Sequence, residues 1–231
     1  MKDYIFDTII FNKHLLIDDG RGAILLDTGS PTSFHANGNI KIGDEMFNVP
    51  TSCMGVVNAD YLTKKVGCDI VGLMGMDIID KYCLWINTEN FGNFISFSKE
   101  NMAFSRYSFR TFSAMGIPGI IMQVGSQEVR LLFDTGAPIS YLNDRFLNSG
   151  EYVRTCRDFS PLTHTDYDVD LYRLPVSFCE KEFNVEFGNM PNEVAMLLGM
   201  IGVDGIIGYD LFSNFRVIVQ NGKIQMPPQG I

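Results

Sequence analysis

The chain has 231 residues, of which 46% are hydrophobic, so it can bury a sizeable core and is not intrinsically disordered. Its 27 acidic residues against 18 basic ones give a net charge of −9, the opposite sign to a phosphate-binding surface, which argues against nucleic acid as a partner. Eighteen Phe and nine Tyr beside a single Trp favour strands over helices. The composition therefore predicts an all-β protein of one large domain or two smaller ones.

The N-terminal segment and the cysteines give expectations about location. Lys2, Asp3 and Asp7 interrupt the first apolar stretches, so neither a signal peptide nor a membrane span fits there. The five cysteines form no C-x-x-C pair and no cluster with the three histidines, so neither a metal nor a cofactor is expected. An odd number of cysteines is typical of free thiols in a reducing compartment. We therefore expect a cytoplasmic protein without contact to a membrane.

In chain order, the first strong pattern is a hairpin that ends in the triplet Asp-Thr-Gly, and this pattern occurs twice. The segment HLLIDDGRGAILL predicts two strands around a tight turn at Asp19-Gly20, and Asp27 follows the second strand directly. The segment IIMQVGSQEVRLLF predicts the same arrangement around Gly125-Ser126 and leads to Asp134. Two triplets in matching contexts indicate an internal repeat.

A second matched signature follows each triplet. The segments VGLMGMDII and DGIIGYDLF both have the pattern Gly-apolar-apolar-Gly-x-Asp-apolar-apolar, in which Gly75 and Gly208 end a buried strand. Asp77 and Asp210 are then expected to be the N-caps of short helices. Each half closes with a hairpin whose predicted turn lies at Asn90–Gly92 or at Asn221-Gly222.

The repeats predict the architecture. We expect two similar β-barrel lobes related by pseudo-twofold symmetry, each with one short helix, and we place them at residues 1–105 and 106–231 with a polar seam at 98–112. A duplicated β-barrel without any chemistry is the alternative interpretation. The repeated element argues against it, because that element is an acid at a strand end rather than an apolar core position.

The position of the two acids indicates their chemistry. The runs 24–26 and 131–133 are continuously apolar and are expected to be buried, so Asp27 and Asp134 follow buried strands and are costly to ionise. If the lobes pack symmetrically, the two carboxyls face each other and share one proton. One carboxyl can then activate a water as general base while the other donates a proton to a carbonyl oxygen. That chemistry hydrolyses a peptide bond.

The residues after each acid fit the same task. We expect the hydroxyls of Thr28 and Thr135 to bond to the backbone of the opposite half and to stiffen the junction. Gly29 and Gly136 permit a turn tight enough to bring main-chain N–H groups to the carboxylates. A single Asp-Thr-Gly is also compatible with an ordinary turn, whereas a matched pair favours a functional site.

These motifs resemble those of the aspartic proteases, the pepsin and retropepsin superfamily. The resemblance covers most of both halves and rests on the segments Asp27-Thr28-Gly29-Ser30 and Asp134-Thr135-Gly136-Ala137, each followed by an apolar-apolar-Gly element that ends at Gly75 or Gly208. It implies an acid-protease fold with Asp27 and Asp134 as the catalytic dyad, supported by the three residues after each. The lobes are short, as in retropepsins, but both lie on one chain, as in pepsins. The resemblance thus implies an endopeptidase for peptide or protein substrates that can work as a monomer.

Lobe 2 alone has room for a flap over the cleft. About ten residues separate Gly29 from the next predicted strand, which is too few for a long hairpin, whereas the second half has more than thirty. We predict one flap at 152–170, with strands around a turn at Phe159-Ser160-Pro161. Phe159, Leu162 and Tyr167 are the candidates for covering substrate, and their packing under a surface loop is the alternative. Pepsins carry the flap on the N-terminal lobe, so this arrangement departs from their pattern.

Two further expectations concern activity. Ser30 is expected to donate a hydrogen bond to the carboxylate of Asp27, whereas Ala137 cannot donate one to Asp134. This difference predicts that activity has its optimum at mildly acid pH. The rival of the protease interpretation is a peptide-binding module with the same cleft and little or no turnover. The missing flap of lobe 1 favours that rival, while the two intact triplets favour the enzyme.

Overall fold

The computed structural model describes residues 3–53, 55–88, 93–100, 109–160 and 164–226. The fold is mostly β, with 53% strand and 14% helix, which confirms the expected all-β class. Within residues 1–105 the strands are β1 Tyr4–Asp7, β2 Ile9–Phe11, β3 His14–Asp18, β4 Ala23–Leu26, β5 Phe34–His35, β6 Asn39–Ile42, β7 Glu45–Asn48, β8 Ser52–Cys53, β9 Val57–Asn58, β10 Ile70–Met74, β11 Cys83–Asn87 and β12 Phe94–Ser98. Within residues 106–231 they are β13 Thr111–Ala114, β14 Ile117–Val124, β15 Gln127–Phe133, β16 Ser140–Leu142, β17 Glu151–Ser160, β18 Thr165–Phe178, β19 Lys181–Asn189, β20 Gly205–Ile207, β21 Val217–Gln220 and β22 Lys223–Gln225.

Three larger sheets organise these strands. One sheet has the order β2-β3-β4-β10-β5, and an eight-stranded sheet has the order β13-β14-β15-β20-β16-β19-β18-β17. The third sheet, β1-β12-β11-β21-β22, joins strands from both ends of the chain through the antiparallel pairing of β11 with β21. The C-terminal hairpin therefore extends a sheet that otherwise consists of N-terminal strands, so the two halves are connected by backbone hydrogen bonds.

Both predicted hairpins in front of the triplets are present. β3 pairs with β4, and β14 pairs with β15, in antiparallel register. Gly20 and Gly125, in the turns, have φ angles of 84° and 56°, a region that favours glycine. The last hairpin, β21–β22, turns at Asn221 and Gly222, both with positive φ as a tight two-residue turn requires. The turn predicted at Asn90–Gly92 lies outside the described residues.

Each strand that carries a triplet also pairs in parallel with the strand of the second signature. β4 pairs with β10, and β15 pairs with β20. Both apolar runs are buried as expected, and Ile24, Leu26, Leu131 and Phe133 are 0% exposed. The same local arrangement therefore brings each acid to the end of a buried strand.

The helices differ from the expectation of one per lobe. The described residues form five helices: α1 Ala59–Val66, α2 Met76–Ile79, α3 Asp144–Leu147, α4 Asn192–Met200 and α5 Tyr209–Phe212. The sequence analysis missed α1, although its signals are local: the side chain of Asn58 accepts a hydrogen bond from the N–H of Tyr61, and Leu62 and Val66 point into the core. No described helix has the length and apolar character needed to cross a bilayer.

Candidate active site

The two acids of the triplets occupy equivalent backbone positions. The N–H of Asp27 donates to the carbonyl of Met74 at 2.9 Å, and the N–H of Asp134 donates to the carbonyl of Ile207 at 3.0 Å. These bonds continue the parallel pairing of each triplet strand with its neighbour. Each acid is thereby fixed at the point where its strand leaves the sheet.

The two threonines connect the halves through crossed hydrogen bonds. The hydroxyl of Thr28 donates to the carbonyl of Phe133 at 2.8 Å, and the hydroxyl of Thr135 donates to the carbonyl of Leu26 at 2.6 Å. Each threonine N–H also donates to the hydroxyl of the other threonine, both at 3.0 Å. Both side chains are 0% exposed. The bonds run to the opposite half, which is the role expected of these residues.

The two glycines of the triplets allow the carboxyls to approach. A Cβ atom at Gly29 would lie 2.2 Å from Cγ of Asp134, and a Cβ atom at Gly136 would lie 2.7 Å from Cγ of Asp27. Each glycine therefore packs against the acid of the other half. A side chain at either position would occupy the space of a carboxyl group, so glycine is required here for close approach.

A second pair of matched contacts supports the turns. In the first half, the N–H of Gly75 donates to the hydroxyl of Ser33, and this hydroxyl donates to Asp77. In the second half, the N–H of Gly208 donates to the hydroxyl of Ser140, and this hydroxyl donates to Asp210 at 2.6 Å. The expected N-cap role of both acids is wrong, since the caps of α2 and α5 are the glycines and no side chain caps either helix. Each acid instead orients a serine that holds the glycine turn next to the triplet.

Burial raises the pKa of both acids. For Asp27, burial is the largest cause and the neighbouring Asp134 adds to it, so its pKa lies well above the usual range. Burial also raises the pKa of Asp134, and hydrogen bonds from Asp27 and from the N–H of Gly136 oppose this effect. The two carboxyls interact directly, and each shifts the pKa of the other. Such a pair titrates as a unit and retains one proton above the usual carboxyl range.

The expected hydrogen bond from Ser30 to its carboxylate is wrong. The Ser30 hydroxyl donates to the carbonyl of Thr32 at 2.9 Å, because the chain turns away from the acid after the triplet. The backbone N–H groups of Ser30 and Ala137 act on the carboxyls of Asp27 and Asp134 instead. The two halves are therefore alike at this position. The pH dependence of the pair is set by the burial of the two carboxyls and by their proximity to each other.

The acids lie in a cleft of about 300 Å³, a size typical of small ligand sites. Asp27, Gly29 and Ser30 line it from one half, and Asp134, Gly136 and Ala137 line it from the other. Thr28 and Thr135 lie beneath. The apolar walls are formed by Leu25, Val57, Leu62 and Leu73 from the first half and by Met190, Val194, Leu197 and Ile206 from the second.

The hairpin predicted as a flap is present as β17 and β18. Their antiparallel pairing runs from Glu151 opposite Arg173 to Ser160 opposite Thr165. Phe159 and Tyr167 both line the cleft, while Leu162 lies outside the described residues. Phe159 and Ser160 belong to β17 and not to a turn, so this part of the predicted turn is wrong, and Pro161 lies outside the described residues. None of the residues of the short hairpin β6–β7 lines the cleft.

The sequence analysis missed a polar cluster near the turn end of this hairpin. The hydroxyl of Tyr141 donates to Asp158, and the hydroxyl of Tyr167 donates to that of Tyr141 at 3.1 Å. Burial raises the pKa of Asp158 and raises that of Tyr167 to about 12. His14, 5% exposed, lies on the opposite wall, and burial lowers its pKa. These residues are distant in sequence and carry no motif.

The same hairpin also contacts helix α1 across the cleft. The rings of Tyr61 and Phe159 meet edge to face, with centroids 6.0 Å apart. Lys65 forms an ion pair with Asp166, and its Nζ lies 5.7 Å from the ring centroid of Phe159. The hairpin is thus attached to both sides of the cleft.

Tyr141→Phe is expected to loosen the hairpin. The substitution removes the hydroxyl that donates to Asp158, so the partly buried carboxylate loses a partner, at a cost of about 1–3 kcal/mol. We expect faster amide hydrogen exchange in β17 and β18. Tyr152→Phe is the control, because it removes an exposed hydroxyl from the same hairpin. Equal exchange in the two variants would contradict a role for the Tyr141 cluster.

No family model matches the chain, and no curated protein matches it.

Proposed function

We propose that the protein is an aspartic endopeptidase. The observation that carries the proposal is the pair of adjoining carboxyls of Asp27 and Asp134 that line one cleft, next to triplets held by crossed threonine bonds. A structural β-protein has no use for two partly buried acids side by side, since their proximity raises the free energy of the ionised state. The resemblance of the triplets to those of aspartic proteases supports the same conclusion.

The reaction follows from the single shared proton. The ionised carboxylate takes a proton from a water whose oxygen attacks the peptide carbonyl carbon, while the other carboxyl gives its proton to the carbonyl oxygen. Collapse of the tetrahedral intermediate breaks the C–N bond, and the amine nitrogen leaves with a proton from the dyad. Because burial raises the pKa of both acids, the one-proton state extends above the usual carboxyl range, which supports activity at mildly acid to near-neutral pH.

We further propose that the chain forms two pseudo-symmetric lobes, residues 1–105 and 106–231, with the cleft between them. The matched bonds of Asp27 and Asp134, of the two threonines and of the two Ser-Asp-Gly clusters support this arrangement. With both acids on one chain, a monomer contains the whole site. The five cysteines, all of them described, form no disulfide with one another, which supports a reducing, cytoplasmic location.

Cleavage of a mixed peptide library from pH 3 to 8 tests the proposal. We expect internal cuts with a maximum between mildly acid and neutral pH. A pepstatin-type inhibitor, which resembles the tetrahedral intermediate, is expected to compete for the cleft and to raise the melting temperature. A maximum near pH 2 would contradict the proposed effect of burial, and a folded protein without any cleavage would contradict the enzyme.

A peptide-binding module is the second candidate function. The contacts of Phe159 with Tyr61 and of Asp166 with Lys65 favour it, because they hold the hairpin across the cleft and slow the exchange of ligands. Under this alternative, library peptides bind and remain intact at every pH, and mass spectrometry of the bound fraction recovers uncut sequences.

A further inference from the structure

A second depression adjoins the catalytic cleft. It has a volume of about 660 Å³ and shares His14, Pro138, Asp158 and Phe159 with the lining of the cleft. One wall comes from helix α1 and the other from strand β17. A polypeptide that leaves the cleft past Asp158 therefore enters this depression, which we call the basic groove.

The basic groove carries a charge opposite to that of the whole chain. Five cationic side chains line it, against the carboxyls of Asp158 and Asp166, although the chain has a net charge of −9. Asp158 accepts hydrogen bonds from the hydroxyl of Tyr141 and from the N–H of Phe159, which partly offset its negative charge. The cations are Lys13, Lys64, Lys65, Arg154 and Arg157.

Three of these cations have no acidic partner among the described residues, and one of the three, Lys13, places its Nζ 5.5 Å from the ring centroid of Tyr209. Lys65 pairs with Asp166, and Arg157 lies 3.6 Å from Asp168. Lys13, Lys64 and Arg154 form no ion pair within the part of the chain that the structure describes, and all three are exposed. They come from three different segments around the groove, so they present positive charge from several sides to one occupant.

We propose that the basic groove binds an acidic segment of the same polypeptide that the cleft binds for cleavage. The inference rests on the proposed function, because the groove continues the cleft. Long Lys and Arg side chains around an open groove fit carboxylates at several spacings, which suits an extended acidic peptide. A single-stranded nucleic acid also needs aromatic platforms for its bases, and Phe159 is the one Phe, Tyr or Trp among the described residues that line the groove.

A binding experiment tests the groove without turnover. The Asp134→Asn variant is titrated with labelled peptides that share one apolar core and carry a run of Glu on its N-terminal or its C-terminal side, or Gln in place of Glu. We expect one Glu peptide to bind about fivefold or more tightly than its Gln partner near neutral pH, and the difference to fall at high salt. Equal affinities of all Glu and Gln peptides would overturn the proposal.

Charge-reversal variants locate the effect. Lys64→Glu with Arg154→Glu is expected to abolish the preference for Glu, whereas Lys41→Glu with Lys223→Glu changes the net charge equally at exposed sites outside the groove and is expected to retain most of it. If the reversal destabilises the fold, Lys64→Gln with Arg154→Gln replaces it, and thermal melting verifies folding. Equal loss in the groove variant and the control would overturn the proposal.

The outcomes separate the groove from the enzyme. A preference for Glu that depends on Lys64 and Arg154 supports the groove even if the wild-type protein cleaves nothing, in which case only the protease proposal fails. Cleavage without any preference for Glu overturns the groove and leaves the protease. An oligonucleotide that binds more tightly than the Glu peptides and displaces them would overturn the choice of a peptide.

Discussion

Asp134→Asn is expected to abolish peptide cleavage, with a fall in kcat/KM of at least about 10²–10⁴-fold. The asparagine cannot take a proton from water or exchange one with Asp27, so the dyad loses its general acid–base function. Asp27→Asn is expected to have the same effect, because the two carboxyls act as one unit. The measurement is the rate of cleavage of a peptide that the wild-type protein cuts, over the whole pH range.

The same substitution is expected to hold or increase stability near neutral pH. The pKa values of Asp27 and Asp134 are raised by folding, so the folded state favours the protonated pair, and this contribution is lost as pH rises through the folded pKa values. Asparagine removes the buried charge at neutral pH and changes little at acid pH. The increase in melting temperature should therefore be larger at pH 7 than at pH 4.

Asp144→Asn is the matched control, since Asp144 is exposed at the start of α3. It should leave both the rate and the pH dependence of stability unchanged. Full cleavage by Asp134→Asn would remove the dyad from the mechanism. A fall in the stability of Asp134→Asn at pH 7 would show that the charge of the two carboxyls does not destabilise the folded protein.

The site could be predicted where its signals are local. The apolar runs, the turns and the triplets lie within short segments, and two copies of one pattern indicated that Asp27 and Asp134 lie together. The contacts of Thr28 and Thr135 followed from their size and position next to these acids. The hydrogen-bond partner of the Ser30 hydroxyl could not be predicted, because the backbone carbonyl of Thr32 is within its reach and competes with the carboxylate of Asp27.

Features that depend on distant segments were not predictable. Tyr141, Asp158 and Tyr167 meet because their strands, β16, β17 and β18 in that order, belong to one sheet. No periodicity in the sequence indicates that these strands share a sheet. The joining of β21 to β11 is likewise a long-range contact, so a boundary drawn between the halves from composition gave no hint of it. The basic groove arises from three segments, each of which looks like an ordinary charged surface.

The second large effect is expected at the junction of the halves. Thr28→Val keeps the shape of the side chain and removes its hydroxyl, which leaves the carbonyl of Phe133 and the N–H of Thr135 unpaired in a fully buried place. Two unpaired buried groups cost about 2–6 kcal/mol. Thr28→Ser retains the hydroxyl and loses one methyl group, so it should cost only about 1 kcal/mol. Urea unfolding of the two variants measures the difference.

The reciprocal pattern gives a sharper test through a double-mutant cycle. Thr135→Val removes the other two crossed bonds, those to Leu26 and to the N–H of Thr28, and should destabilise by a similar amount. Because both threonines support one junction, the double variant should lose less than the sum of the single losses. Strict additivity, or a loss no larger than that of Thr28→Ser, would contradict the coupling of the halves. Since Asp27 and Asp134 precede these threonines directly, each Val variant should also lower kcat, by about 10²-fold for a small displacement of the carboxyls.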